Sequence, residues 1–121
     1  MDFDNSRPIY LQLLEDFKLK ISVGQWPAGS KIDSVRNLAS TYGVNPNTVQ
    51  KALAELEREG LCESRRTAGR FVTENKNMIS KLEDSSFYEL ADQFIEGAGN
   101  LNLEMNEAID QLRSYWEEKN D

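Results

Sequence analysis

The sequence has no histidine, and Cys62 is the only cysteine among its 121 residues. Without histidine there is no Ser-His-Asp or Cys-His nucleophile system. With one thiol, neither an internal disulfide nor a zinc site of the usual ligand sets can form. No clustered Asp motif suggests a carboxylate-bound metal, and there is no Gly-rich phosphate loop, so neither a cofactor nor an enzyme is expected. No run approaches the roughly 20 apolar residues that a bilayer span needs. The opening MDFDNSRPIY lacks the basic-then-apolar order of a signal peptide, so a cytoplasmic protein with no membrane partner is expected. Apolar residues are a modest 39%, yet five Phe, four Tyr and two Trp supply core material. Full disorder is thereby excluded in favour of one compact domain with a small appendage.

Basic residues are outnumbered, 14 to 21, for a net charge of −7. The imbalance is local. Residues 1–75 hold ten basic and ten acidic side chains, whereas residues 76–121 hold four and eleven. Charges beyond a Debye length of ~8 Å are largely screened at physiological salt. A neutral N-terminal module can therefore bind phosphate while an acidic tail stays away from it.

Helical periodicity predicts the elements. Ser6 is a candidate cap and Pro8 stands in the first turn of a helix with Tyr10, Leu13, Leu14, Phe17 and Ile21 on one face. Gly24 ends it, and Trp26 in the following loop is a candidate anchor onto the core. A short second helix starts at Ser34, buries Val35, Leu38 and Ala39, and stops at Gly43. Asn45 and Pro46 open a third helix, with Val49, Ala52, Leu53 and Leu56 inward and Gly60 as its stop. Two helices joined by a Gly-containing turn make a helix-turn-helix candidate. The runs LCES and FVTE around RRTAGR then predict a β-hairpin, which completes a winged helix. From about residue 76 helix resumes, with Phe87, Leu90, Ala91, Phe94, Ile95 and Ala98 in register. A break is expected at Gly97-Ala98-Gly99-Asn100, followed by a last helix capped by Asn102 and carrying Met105, Ile109, Leu112 and Trp116 on one face.

The third helix turns Asn47, Gln50, Lys51, Ala54 and Arg58 away from its apolar stripe. An ordinary solvated face would look similar, but Asn and Gln can pair bidentately with adenine, and Lys51 can reach guanine or a phosphate. Arg65, Arg66 and Arg70 crowd the hairpin turn beside Gly69, as suits a wing laid on the sugar-phosphate backbone or in the minor groove. Ser34 and Arg36 begin the second helix, where N–H groups favour anions. Cys62 is a core residue in this scheme. The acidic tail is too short to close a core alone, so its two apolar stripes must dock on the winged module or on a second copy. A twofold dimer would also pair two reading heads.

The ordered motifs Pro8-Ile9-Tyr10-Leu11-Gln12, Pro27-Ala28-Gly29-Ser30-Lys31-Ile32, Ser34-Val35-Arg36-Asn37-Leu38-Ala39, Val44-Asn45-Pro46-Asn47-Thr48-Val49 and Gly69-Arg70-Phe71-Val72 resemble the N-terminal domain of GntR-family bacterial regulators, over about residues 7–72. The Asn-Pro-Asn-Thr-Val wording and the short tail resemble the YtrA-like branch. The resemblance implies a winged helix-turn-helix repressor that dimerises through its last helices and controls a transporter-type operon. It also implies DNA contacts from Ser34, Arg36, Asn45, Asn47, Thr48 and Gly69. Four positions depart from the pattern: Asp33 replaces a usual Pro, Pro46 a frequent Arg, and Thr67 and Arg70 stand where the wing usually has Gly and Thr.

The expected fold is mainly α with a small β-hairpin: a winged helix-turn-helix in residues 1–75 and a two-helix dimerisation segment in 76–121. The expected function is sequence-specific binding of an inverted repeat in double-stranded DNA by a homodimer. Contacts would come from Ser34, Arg36, Asn45, Asn47, Thr48, Gln50, Lys51, Arg65, Arg66, Gly69 and Arg70. The dimer would form through Phe87, Leu90, Phe94, Ile95, Met105, Ile109, Leu112 and Trp116. The sequence names no effector. The alternative is a winged-helix protein-interaction module, against which the arginine-rich turn behind an Asn/Gln-bearing helix argues.

Overall fold

Proline sets where the first helix begins. In the computed structural model, which describes residues 1–121, Pro8 is the N-cap of α1 (Ile9–Ser22) with φ −54° and ψ 133°, and no side chain caps the helix. Ser6 does not cap it; its hydroxyl donates to the Asp4 carboxylate at 2.7 Å. Gln12 ties the N-terminal segment down instead. Its side-chain amide donates to the carbonyls of Asp4 (2.6 Å) and Arg7 (3.0 Å), and its Oε1 accepts from the Asp4 N–H at 2.8 Å. This pairing lets a buried amide satisfy its polar atoms. Leu13, Leu14, Phe17 and Ile21 face the core as their spacing predicts, while Tyr10 is half-buried. Phe17 stacks on Trp26 with ring centres 5.0 Å apart and meets Tyr42 edge-on at 5.7 Å, so Trp26 anchors its loop.

Helices α2 (Val35–Tyr42) and α3 (Pro46–Arg58) form the helix-turn-helix. Ser34 caps α2 by accepting from the Asn37 N–H at 3.1 Å. Gly43 ends the helix in the left-handed region (φ +67°), where a side chain would be strained. Asn45 caps α3 by accepting from the Asn47 N–H at 2.8 Å, and Pro46 opens the helix where its missing N–H costs nothing. Val49, Ala52, Leu53 and Leu56 are all but inaccessible to solvent.

Strands β1 (Cys62–Arg65) and β2 (Gly69–Val72) pair antiparallel, from Cys62 opposite Val72 to Arg65 opposite Gly69. Positive φ at both Thr67 (+63°) and Gly69 (+107°) turns the chain between them. The far edge of β2 is also paired, which the sequence pattern did not predict. Lys31 bridges to Phe71, the Ile32 N–H bonds to the Arg70 carbonyl, and the Val72 N–H bonds to the Ser30 carbonyl. Ile32 alone of that segment is fully buried, which leaves no alternating pattern to announce a strand.

Helix α4 (Lys76–Asn100) follows. Its first turns bring Met78, Ile79 and Leu82 against the core of α1–α3 and the hairpin, so the first compact unit runs to Asp84, past the domain boundary expected at residue 75. The second unit, Ser85–Asp121, holds the rest of α4 and α5 (Met105–Lys119). The break predicted over Gly97 to Asn100 comes slightly later, directly after Asn100. Neither Gly97 nor Gly99 takes a positive φ, and the helix continues to Asn100. The turn comes at Asn102 (φ +59°), with the Asn102 N–H returning to the Gly99 carbonyl and the Leu103 N–H to that of Ala98. Asn102 thus ends α4, which suits the tolerance of asparagine for left-handed backbone, and does not cap α5. The N-cap of α5 is Glu104, without a side-chain hydrogen bond. No helix is long and apolar enough to cross a membrane.

Candidate nucleic-acid interface

The side of α3 opposite its buried stripe carries Asn47, Gln50, Lys51 and Ala54, all exposed, with Thr48 half-buried beside them. The capping bond holds the Asn45 side chain at the start of this face. The Lys51 ammonium sits 4.0 Å from the centre of the Tyr10 ring, a cation–π contact that steadies a long side chain while leaving it accessible. Arg58, by contrast, is turned along the helix into Glu55 at 2.7 Å. Its guanidinium donates to that carboxylate and lowers the Glu55 pKa from its ordinary value.

At the start of α2, Arg36 is exposed and makes no ion pair, but the anion position at the helix N-terminus is already filled from within the chain. The Asp33 carboxylate accepts from the Ser34 N–H at 2.8 Å and from the Asn37 side-chain amide at 2.9 Å. The hydroxyl of Ser34 is itself engaged in capping. A phosphate arriving here would meet a carboxylate at the site that helix geometry makes attractive to anions.

The three wing arginines have different surroundings. Arg66 stands at the turn, exposed and without an ion-pair partner. Arg65 lies over the Phe71 ring at 4.2 Å and pairs with Glu63 at 3.0 Å. Arg70 folds back onto α3, its Nε 3.6 Å from Glu57 and its Nη1 3.4 Å from Gln50 Oε1. A further cation comes from Lys31, whose stem runs so close to Gly69 that a Cβ there would meet Lys31 Cε at 3.1 Å. Sequence spacing could not single out Lys31, because only its backbone bridge to Phe71 brings it to the wing. Lys31, Asp33, Ser34, Asn37, Thr67, Gly69 and Arg70 line one cleft between the start of α2 and the hairpin.

In the second unit, the eight apolar residues expected to mediate dimerisation are all exposed, from Ile109 at 39% to Met105 at 72%. Ala108 is its only buried side chain. Eleven of the fifteen large apolar side chains that the chain exposes lie here, far more than a solvated helix pair leaves uncovered without use. Cys62 is buried within the first unit, and that burial pushes its thiol pKa up to about 11, as befits a packing residue. No group of three His, Cys, Asp or Glu side chains is placed to hold a metal ion.

Residues 9–72 match the family described as bacterial regulatory proteins, gntR family. Over 115 residues the chain is 32% identical to YhcF of Bacillus subtilis, an uncharacterized HTH-type transcriptional regulator, with 95% of each chain covered. Over 75 residues it is 44% identical to YtrA of Bacillus subtilis, an HTH-type transcriptional repressor, covering 62% of this chain and 58% of YtrA. A solved GntR family transcriptional regulator from Listeria monocytogenes superposes with a TM-score of 0.86 at 36% identity, over 93% of this chain and 98% of the other.

Proposed function

Because the chain belongs to the gntR family of bacterial regulatory proteins, and so is a DNA-binding transcriptional regulator, we propose that it acts as a homodimeric repressor on an inverted-repeat operator. The observation that carries this reading is the exposed row Asn47 and Gln50 on α3, flanked by the accessible cations Lys51, Arg36, Lys31 and Arg66. Amide side chains near the start of a helix suit base edges in the major groove, and the cations suit the phosphates on either side. Of the eleven contact residues expected from sequence, Arg70 has its side chain drawn inward onto α3, and in this reading it is not counted among the phosphate contacts. In this reading residues 1–75 read DNA and the exposed faces of α4 and α5 pair with those of a second copy. A repressor role is supported by the likeness to YtrA, and a transporter-type operon by resemblance to the YtrA-like branch.

Two recognition helices in successive major grooves require half-site centres ~34 Å apart or a multiple of that. With about 3–4 phosphate contacts per subunit, log K should fall with log salt at a slope of roughly −5 to −7. Fluorescence anisotropy on a labelled operator across a salt series measures this. A flat response, or no binding at low salt, contradicts the reading and leaves the protein-interaction module. The operator itself is found by sequencing DNA bound by the full chain, and a repressor's target transcripts should rise when the gene is deleted.

A further inference from the structure

Arg70 occupies the wing but does not point from it. It lies on β2 opposite Ser64, its side chain is only 19% accessible, and its Nε is fully buried without a hydrogen bond. The guanidinium reaches across to α3, where Gln50 and Glu57 stand seven residues apart and therefore on one face. Glu57 draws it there: its Oε1 lies 3.6 Å from Arg70 Nε and also accepts from the Ser64 hydroxyl at 2.5 Å. Arg70 Nη1 then donates to Gln50 Oε1 at 3.4 Å.

A guanidinium has donors only, so the end of the Gln50 amide that faces it must be the carbonyl. This settles an orientation that a free glutamine would leave open. The Gln50 Nε2, with two N–H donors and no protein acceptor, is the end left to the groove. An unconstrained glutamine pairs with adenine by using both ends, accepting from N6 and donating to N7. The Gln50 carbonyl keeps a second lone pair, but a glutamine whose carbonyl is turned onto a cation presents its N–H donors to the groove and so favours an edge made of acceptors alone. In the major groove that edge is guanine N7 and O6, or thymine O4.

We propose that Arg70 is a positioning residue that fixes Gln50 as a hydrogen-bond donor, so that the base read by Gln50 is one presenting acceptors, guanine or thymine, rather than adenine. The inference rests on α3 reading DNA. It assigns to a wing arginine a part in base choice and takes it out of backbone contact, and the two roles have different signatures. Removing a phosphate contact weakens every sequence alike and reduces the salt slope by about 0.9 per subunit. Removing the positioning group changes preference at one base pair and leaves the slope alone.

The experiment is binding-site selection from duplexes with ~20 randomised base pairs, enough for two half-sites one helical turn apart. It is run on the full-length protein and on Gln50→Ala, Arg70→Met and Gln50→Glu. The position whose preference disappears in Gln50→Ala is the base that Gln50 reads. The unsubstituted protein should prefer guanine or thymine there over adenine by about tenfold. Which of the two wins identifies the acceptor edge, and either supports the proposal. Arg70→Met should shift that single position toward adenine with the salt slope unchanged. Gln50→Glu keeps an acceptor for Arg70 but has no donors, so it should lose the preference, which keeps the proposal testable if Arg70→Met fails to fold. Adenine preferred by the unsubstituted protein, an unaltered profile in Arg70→Met, or a uniform loss with a shallower slope overturns it. A protein that selects no sequence at all overturns the operator-binding reading instead.

Discussion

Arg66 keeps its charge free at the hairpin turn, whereas Arg65 shares its charge with Glu63. Arg66→Ala is therefore expected to weaken binding to operator and random DNA by similar factors, and to reduce the salt slope by about 0.9 per subunit. Paired anisotropy titrations on the two duplexes check this. Asp33 acts in the opposite sense. Its carboxylate occupies the α2 N-terminus through two accepted hydrogen bonds, both of which an asparagine carbonyl can also accept. Asp33→Asn should tighten DNA binding, most clearly at low salt where surface charges are least screened. Unchanged affinity at low salt would show that no phosphate approaches that helix end. Charge counting from composition treats these residues as equal, and the difference between them arises from partners that only the folded chain supplies.

Among the elements, the helix-turn-helix is governed by short-range signals, while the last two helices are not. Ser34, Asn45 and Pro46 act on N–H groups within three residues, so the starts of α2 and α3 were legible in sequence. The end of α4 was misjudged because two glycines counted for more than they should. Gly97 and Gly99 cost helix stability without forbidding helix, and the turn occurs only where Asn102 adopts the left-handed conformation. A Cβ at Gly97 would meet nothing within 4 Å. Gly97→Ala is accordingly expected to stabilise the protein by about 0.5–1 kcal/mol, through the unfolded chain's lost freedom as much as through the helix. Urea unfolding of the two proteins measures the difference, and a destabilised variant would place a neighbour against that position.

At the scale of the whole molecule, the first unit is built round a full hydrophobic core, and the second exposes most of its large apolar side chains. If those faces pair between two copies, a buried charge there is costly. Leu90→Asp and Trp116→Asp should each turn a dimer into a monomer in sedimentation equilibrium. Each should also weaken operator binding while leaving the unfolding of the first unit in place, since none of its core residues is touched. A monomeric unsubstituted protein would remove the dimer from the proposed function.

The sequence by itself determined the order of elements, the caps of α2 and α3, the buried stripes of α1 and α3 and the family motifs, because these depend on residues within a few positions of one another. Tertiary structure alone decided which cations remain available to DNA. It also decided that the segment Gly29–Ile32 closes the far edge of β2, and that Arg70 turns from the wing tip to Gln50. Those outcomes depend on groups up to some forty positions apart in the chain, such as Lys31 against Phe71. Periodicity is silent about such pairs, because a helical or strand repeat records which face is buried and not what lies across from it.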